Sequence, residues 1–195
     1  YMEKISSKVK EKNVIDLDYS VKKNIFNLSE SLNKKPENLT ACILERQRHN
    51  KIISELRDLK VKIKFISDGD VSGALLVTDE KYSVDIFLGT GGGPEGVLAA
   101  AALDSFDCGF QGRFLFETDK DKQRAKEMGI DDLTKKYDLN EIIKGDSIFC
   151  ATGITSGDLV MGIKNEEDKF ISETLVTHKH SGLKKVVKLK QKIIR

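Results

Sequence analysis

Apolar and polar residues recur along this chain at two periods, and the changes of period mark its elements. Val21, Ile25, Leu28 and Leu32 fall at helical spacing with Ser20 before them as an N-cap, so a helix is predicted from residue 21. Residues 33–38, with Pro36, read as a loop. The apolar run 39–44 suits a buried strand, and 49–59 a helix with Ile52, Ile53, Leu56 and Leu59 on one face. Val61, Ile63 and Phe65 alternate with lysines, which is a strand period, and Asp68-Gly69-Asp70 ends that strand. A strand over 84–88, a glycine-rich turn over 89–93 and a helix over 94–103 come next, with Pro94 in the helix's first turn.

Further on, the pattern predicts a strand over 113–116 and a charged helix over 119–128 closed by Gly129. Asp138 and Glu141 form a capping box over a short helix to Lys144, and 147–151 reads as another strand. From Leu159 the character changes: 160–164, 170–177 and 186–189 read as strands joined by short polar turns. The fold class is therefore α/β (α+β), a mixed sheet flanked by helices with a C-terminal β meander.

Composition narrows the possible functions. The 195 residues suit one domain of ordinary size, and 39% hydrophobic with 33% charged residues is a globular balance. A net charge of +2 selects neither nucleic acid nor an acidic membrane. No apolar run approaches the ~18 residues of a membrane span. Residues 179–195 hold six lysines and one arginine without an acid, but no aromatic for base stacking. They read as an edge strand or solvated face, so no nucleic-acid role is expected. His178 and His180 lack a third ligand nearby and read as an exposed strand face. Cys42, Cys108 and Cys150 are odd in number, far apart and without a C-x-x-C spacing, which argues against zinc. Cys42 and Cys150 lie in apolar runs, so buried, reduced thiols in a cytoplasmic protein are expected. The opening carries no signal-peptide pattern and no initial Met, so a processed chain or a piece of a longer protein is expected.

Candidate chemistry gathers at strand ends. In open α/β sheets, ligands bind beyond the carboxyl ends of the strands. Three successive strands run into Glu45-Arg46-Gln47-Arg48-His49, Asp68-Gly69-Asp70 and Gly89-Thr90-Gly91-Gly92-Gly93-Pro94-Glu95-Gly96. If those strands are neighbours, the clusters share one rim. The glycines let the backbone approach a ligand, and the following helix start offers free N–H groups and a partial positive charge, which favour phosphate. No Lys-Ser/Thr follows, so this is not a Walker A loop. Gly91, Gly93 and Gly96 do spell G-x-G-x-x-G, and Glu117 lies about 20 residues on, where a dinucleotide fold places its ribose-binding acid. Glu95 opposes that reading, because its carboxylate would repel a pyrophosphate unless a cation lay between them. It is then a metal ligand or a partner of the helix dipole. Arg46 and Arg48 suit bidentate phosphate recognition, or are solvated arginines beside a helix start. Asp68 and Asp70 suit sugar hydroxyls or a metal, or make a simple turn.

In this order the clusters resemble the class II fructose-1,6-bisphosphatases. The similar segments are Ile43-Leu44-Glu45-Arg46-Gln47-Arg48-His49, Asp68-Gly69-Asp70 and the glycine-rich segment through Pro94-Glu95-Gly96-Val97. Gly112-Arg113, Ala151-Thr152-Gly153-Ile154-Thr155, Glu173-Thr174-Leu175 and the opening Tyr1-Met2-Glu3-Lys4 also match. The resemblance spans nearly the whole chain. It implies the fold of the lithium-sensitive sugar and inositol phosphatases (inositol monophosphatase/fructose bisphosphatase-like). It also implies removal of the 1-phosphate of fructose 1,6-bisphosphate with Mn²⁺ or Mg²⁺, a step of gluconeogenesis. By matching motif, Glu95 would be a metal ligand and Gly92 a substrate contact. Arg46, Gln47 and Arg48 would hold the substrate, Asp68, Gly69 and Asp70 its sugar, and Tyr1 would cap it from the domain junction. Residues 1–38 would end an N-terminal domain or form the junction, and 39–195 the C-terminal α/β domain. A homo-oligomer is expected.

Two departures from the family matter. Gln47 stands where the family usually has Pro. The N-terminal half, which in the family carries most metal-binding acids and the threonine that orients the attacking water, is missing. One carboxylate cannot hold Mg²⁺ or Mn²⁺ tightly. No residue of this chain is therefore assigned a catalytic role, and the chain alone is expected to bind substrate weakly and turn it over negligibly. Two other readings compete: a dinucleotide-binding module on Gly91, Gly93 and Gly96, and a non-catalytic sugar-phosphate sensor.

Overall fold

The predicted strands assemble around one that periodicity does not reveal. In the computed structural model, which describes residues 1–192, Met2–Ser7 is a strand with neighbours on both sides. The chain order is β1 (Met2–Ser7), α1 (Val21–Ser31), β2 (Thr40–Leu44), α2 (Asn50–Asp58), β3 (Lys62–Ile66), α3 (Asp70–Leu75), β4 (Ile86–Gly91) and α4 (Gly93–Leu103). Then come β5 (Gly109–Phe114), α5 (Asp119–Glu127), β6 (Lys136–Asp138), α6 (Leu139–Ile142), β7 (Ile148–Thr152), β8 (Lys164–Glu166), β9 (Lys169–His178) and β10 (Leu183–Lys192).

The first six strands form a mixed sheet in the order β3-β2-β4-β1-β5-β6. β2 runs parallel to β3 and β4, while β1 is antiparallel to both β4 and β5. Parallel neighbours require a crossover, and α2 and α3 lie in the two connections. Side-chain alternation then separates two cores. Ala41, Ile86 and Leu88 join Ile25 and Leu28 of α1 and Leu56 of α2 on one face. Cys42 and Phe87 join Ala74 of α3 and Ala99 and Leu103 of α4 on the other. That second core continues to Phe149 and Leu175, so a second sheet, β10-β9-β7 with β8 beside β9, covers α4 from outside. This is the expected mixed sheet with flanking helices and a C-terminal antiparallel sheet. Residues 1–38 contribute β1 to the large sheet and α1 to its first core, and both are shared with elements from β2 onward.

Local details agree with sequence chemistry. The Ser20 hydroxyl accepts the Lys23 N–H at 3.1 Å and caps α1. Ser20→Ala is expected to lower stability by about 1 kcal/mol in urea unfolding. The capping box of Asp138 and Glu141 is formed over α6.

Other expectations are corrected. Gly89 and Gly91 belong to β4 and are not a turn, because β4 pairs with β1 as far as Gly91. Asp70 opens α3 and does not close a turn. β5 starts at Gly109, before the predicted 113, and β8 lies at Lys164–Glu166, later than the predicted 160–164. His180 lies in the turn after β9 and not in the strand with His178. Cys150 is exposed, since strand alternation turns it to the outer face of the second sheet while Phe149 faces inward. Arg195 of the basic tail lies outside the described residues. Among those described, no helix is long and apolar enough to cross a membrane.

Candidate functional site

Because β2, β3 and β4 run the same way, the three polar clusters at their carboxyl ends come to one edge of the sheet. β1 runs against β4 and delivers its first residues to that edge, Met2 pairing with both Gly91 and Phe114.

After β2 the chain makes a tight turn, Gln47–His49. Arg46 Nη2 donates to the carbonyl of Ser67 beyond β3 at 2.5 Å. Arg48 Nε donates to the carbonyl of Thr90 in β4 at 2.8 Å. The two arginines are thus each tethered to a neighbouring strand end, and both stay exposed with Gln47 between them. The Arg48 guanidinium lies 5.7 Å from the ring centroid of exposed Tyr1, a cation–π distance that brings Tyr1 to the same rim.

His49 is buried beneath this turn. Its Nδ1 is 2.8 Å from the Leu44 carbonyl, and its Nε2 accepts the Thr90 N–H at 2.9 Å. The neutral ring with its proton on Nδ1 satisfies both contacts. His49 therefore locks the arginine turn to β4. Nothing in the sequence distinguished it from the polar residues around it.

The carboxylates are arranged by glycines. Gly69 has φ +89°, a conformation that other residues adopt at a cost, and it sets the entry of α3. From there the Asp70 carboxylate lies over the backbone of Gly91, where any Cβ would overlap it. The Glu95 carboxylate, in the first turn of α4, folds back over Gly92 in the same manner. Asp68 is exposed and accepts the Gly69 N–H at 2.8 Å, the local turn expected of it.

A residue that the motifs left without a role lies beside the Asp70 carboxylate. Lys4 of β1 is buried; its ammonium pairs with Asp70 and donates to the Gly92 carbonyl at 3.1 Å. Lys4 thus neutralises Asp70 and ties it to the loop that carries Glu95. Glu95 itself is exposed and is the open carboxylate of the pair. Among the described residues no three His, Cys, Asp or Glu side chains gather into a metal-holding group. The chain fits a hard divalent cation only in part, offering one open carboxylate oxygen donor.

The same arrangement weakens the dinucleotide reading. A pyrophosphate would need the space over Gly91 and Gly92 that Asp70 and Glu95 occupy. Antiparallel β1 also separates β4 from β5, so the strands flanking α4 are not neighbours. The other matched segments hold strands together. The Thr152 and Thr174 hydroxyls lie 2.9 Å apart between β7 and β9, and Arg113 of β5 reaches Glu3 of β1 at 3.0 Å. A cavity of about 400 Å³ lies near the far end of β1. Three of its lysines are already paired, Lys10 with Asp107, Lys136 with Asp16 and Lys179 with Asp104.

Residues 1–191 match the family model described as bacterial fructose-1,6-bisphosphatase, glpX-encoded. Among curated relatives, a D-fructose 1,6-bisphosphatase class 2/sedoheptulose 1,7-bisphosphatase of Synechococcus sp. (strain JA-3-3Ab) is 33% identical over 194 residues, covering 93% of this chain and 56% of the relative. The protein of the same name from Trichodesmium erythraeum (strain IMS101) is 32% identical, covering 84% of this chain and 51% of the relative. That of Gloeobacter violaceus (strain ATCC 29082 / PCC 7421) is 30% identical, covering 93% and 56%. The chain spans about half the length of the curated relatives it matches.

Proposed function

Since the chain belongs to the glpX-encoded bacterial fructose-1,6-bisphosphatase family, we propose that it is the substrate-holding part of a metal-dependent sugar-bisphosphate phosphatase. The reaction is hydrolysis of fructose 1,6-bisphosphate at its 1-phosphate, giving fructose 6-phosphate and phosphate, in the cytoplasm. The observation that carries this reading is the meeting of Arg48, Asp70, Gly92 and Glu95 at the ends of adjacent strands, with Lys4 beneath them.

The chain's own residues bind and orient. Arg46 and Arg48 clamp the distal phosphate, and their tethers to Ser67 and Thr90 hold the guanidinium groups in place. Gln47 offers a backbone N–H in the same turn. Asp68, Gly69 and Asp70 face the sugar, and Tyr1 closes over it from beside Arg48. At Gly92 the space that a Cβ would fill is taken by the Glu95 carboxylate, so the reacting end would meet the Gly92 backbone together with Glu95 and the ion it holds. Holding both ends of the ester lowers the entropic cost of reaching an in-line geometry. Glu95 would hold one Mn²⁺ or Mg²⁺, and such an ion supplies activation of the attacking water and screening of the phosphoryl oxygens. The remaining oxygen ligands would come from a segment corresponding to the length that the curated relatives have beyond this chain. The names of the relatives also join sedoheptulose bisphosphate, which is longer by one hydroxymethylene unit and is the second substrate to assay.

Phosphate release tests the proposal. The 195-residue chain with fructose 1,6-bisphosphate and Mn²⁺ is expected to stay at background, and the complete polypeptide to show metal-dependent release. Turnover by the chain alone at the rate of the complete protein would refute the division of labour. Binding without hydrolysis by the complete protein would make it a sensor. Tight NAD binding without a divalent metal would restore the dinucleotide reading.

A further inference from the structure

β2 ends at Leu44, while β4 runs on to Gly91. Their register pairs Ala41 with Ile86 and Cys42 with Phe87 and goes no further. Beyond Phe87, side chains of the turn that follows β2 take over. Thr90 pairs with Glu3 of β1, yet its own backbone groups are engaged from the opposite side. Its N–H goes to His49 Nε2 at 2.9 Å, and its C=O accepts Arg48 Nε at 2.8 Å. A strand residue directs both of these groups to one neighbour, so His49 and Arg48 together continue the ladder that β2 leaves unfinished. The His49 ring is 1% exposed and is held on three sides. The Leu44 carbonyl meets Nδ1 at 2.8 Å, Thr90 meets Nε2, and Cε1 lies 3.5 Å from where a Cβ would stand at Gly89. A leucine could fill that volume, but it could neither donate to Leu44 nor accept from Thr90.

We infer that His49 is a positioning residue for the distal-phosphate clamp: it fixes the place of Arg48, and with it the preference for a bisphosphate over a monophosphate. This rests on the phosphatase reading above. Arg48 uses Nε on Thr90, and its two terminal nitrogens have no acceptor among the described residues. Those two nitrogens form the fork that can grip a phosphate bidentately. The strength of such a grip depends on where the fork is held, and a misplacement of about 1 Å can cost about a hundredfold in rate. His49 is the next residue along and binds the N–H of the same Thr90 whose carbonyl holds Arg48. Without that bond, one exposed guanidinium contact would have to hold the turn to β4 unaided. Arg46 does not depend on it, since its tether runs to Ser67 beyond β3. Losing the His49 contact should therefore impair one arm of the clamp and leave the reacting end alone.

Two substrates of the complete polypeptide test this, fructose 1,6-bisphosphate and fructose 1-phosphate, which lacks the distal phosphate. The ratio of their kcat/KM values reads the clamp. Arg48→Ala is expected to lower the ratio about a hundredfold, the scale of a charge-assisted bidentate contact. His49→Asn places its amide near Nδ1, keeping the Leu44 contact and giving up Thr90. Its ratio should fall about tenfold or more, with the fructose 1-phosphate rate unchanged. His49→Gln reaches the Nε2 position, where the amide oxygen accepts the Thr90 N–H, and should restore the parent ratio. The double variant Arg48→Ala/His49→Asn should show a ratio no lower than Arg48→Ala alone, because both changes act on one contact. Partial unfolding lowers both rates of one preparation alike and leaves the ratio untouched. Equal losses on the two substrates would give His49 a structural role only and overturn the inference. So would a His49→Gln protein as impaired as His49→Asn, losses that add in the double variant, or a His49→Asn protein with no active fraction. A ratio lowered by Arg48→Ala but not by His49→Asn overturns this inference and spares the clamp, whereas a ratio that Arg48→Ala leaves unchanged overturns the clamp itself.

Discussion

Glu95→Gln in the complete polypeptide is expected to lower kcat/KM for fructose 1,6-bisphosphate by about a thousandfold or more. The substitution keeps the shape of the side chain and removes its charge. If Glu95 holds the cation, the loss includes several kcal/mol of charge stabilisation at the phosphoryl group, and each ~1.4 kcal/mol is a factor of ten in rate. The competing role is local: a first-turn acid that only complements the α4 dipole. Removing such an acid costs about 0.3–1 kcal/mol of stability and nothing in rate. The two roles therefore differ in both observables. Phosphate release, Mn²⁺ titration and urea unfolding of the same variant separate them. A rate within tenfold of the parent, with unchanged Mn²⁺ affinity, would return Glu95 to the dipole role and remove the physical basis of the phosphatase reading. The geometry favours the first outcome, since Glu95 is exposed and Gly92 leaves room for its carboxylate at the sheet edge.

Much of the framework was readable because burial imposes simple periods. α1 showed itself in Val21, Ile25 and Leu28, spaced to bury one face, and β2 in an apolar run that has strands on both sides. The shared rim came from order alone, because parallel strands joined by crossovers must place their carboxyl ends together. What failed to show were residues whose role depends on distant partners. β1 reads Met-Glu-Lys-Ile-Ser-Ser, which alternates in no useful way. It is central because β4 and β5 flank it, and its lysine is tolerated because Asp70 arrives from 66 residues away. His49 looked like the start of a helix, yet its two ring contacts depend on β2 and β4 being neighbours. Gly89 and Gly91 looked like a turn because glycines usually break strands, whereas Gly91 lies in one beneath the Asp70 carboxylate. Cys150 shared its apolar neighbourhood with Phe149, and only the position of α4 decides which of the two faces solvent.

Lys4→Met is expected to destabilise the chain by about 3–5 kcal/mol, the loss typical when one partner of a buried pair is removed. Lys4 has no exposed side-chain surface and Asp70 only 10%. The methionine fills most of the lysine's volume, so the loss comes from charge. Asp70 would keep its carboxylate without a counter-charge, and the Gly92 carbonyl would lose its donor. At about 2–4 °C per kcal/mol for a chain of this size, Tm should fall by roughly 10 °C. The double variant Lys4→Met/Asp70→Asn should recover part of the loss, since it removes the orphaned charge together with its partner. Equal destabilisation by the single and double variants would mean that Lys4 acts through packing and not through Asp70. Lys4 also holds Asp70 in place over Gly91, where the glycine leaves room for the carboxylate. Removing the lysine should therefore loosen the rim first and the rest of the fold second, with Asp70 leaving Gly91 before the parallel strands separate.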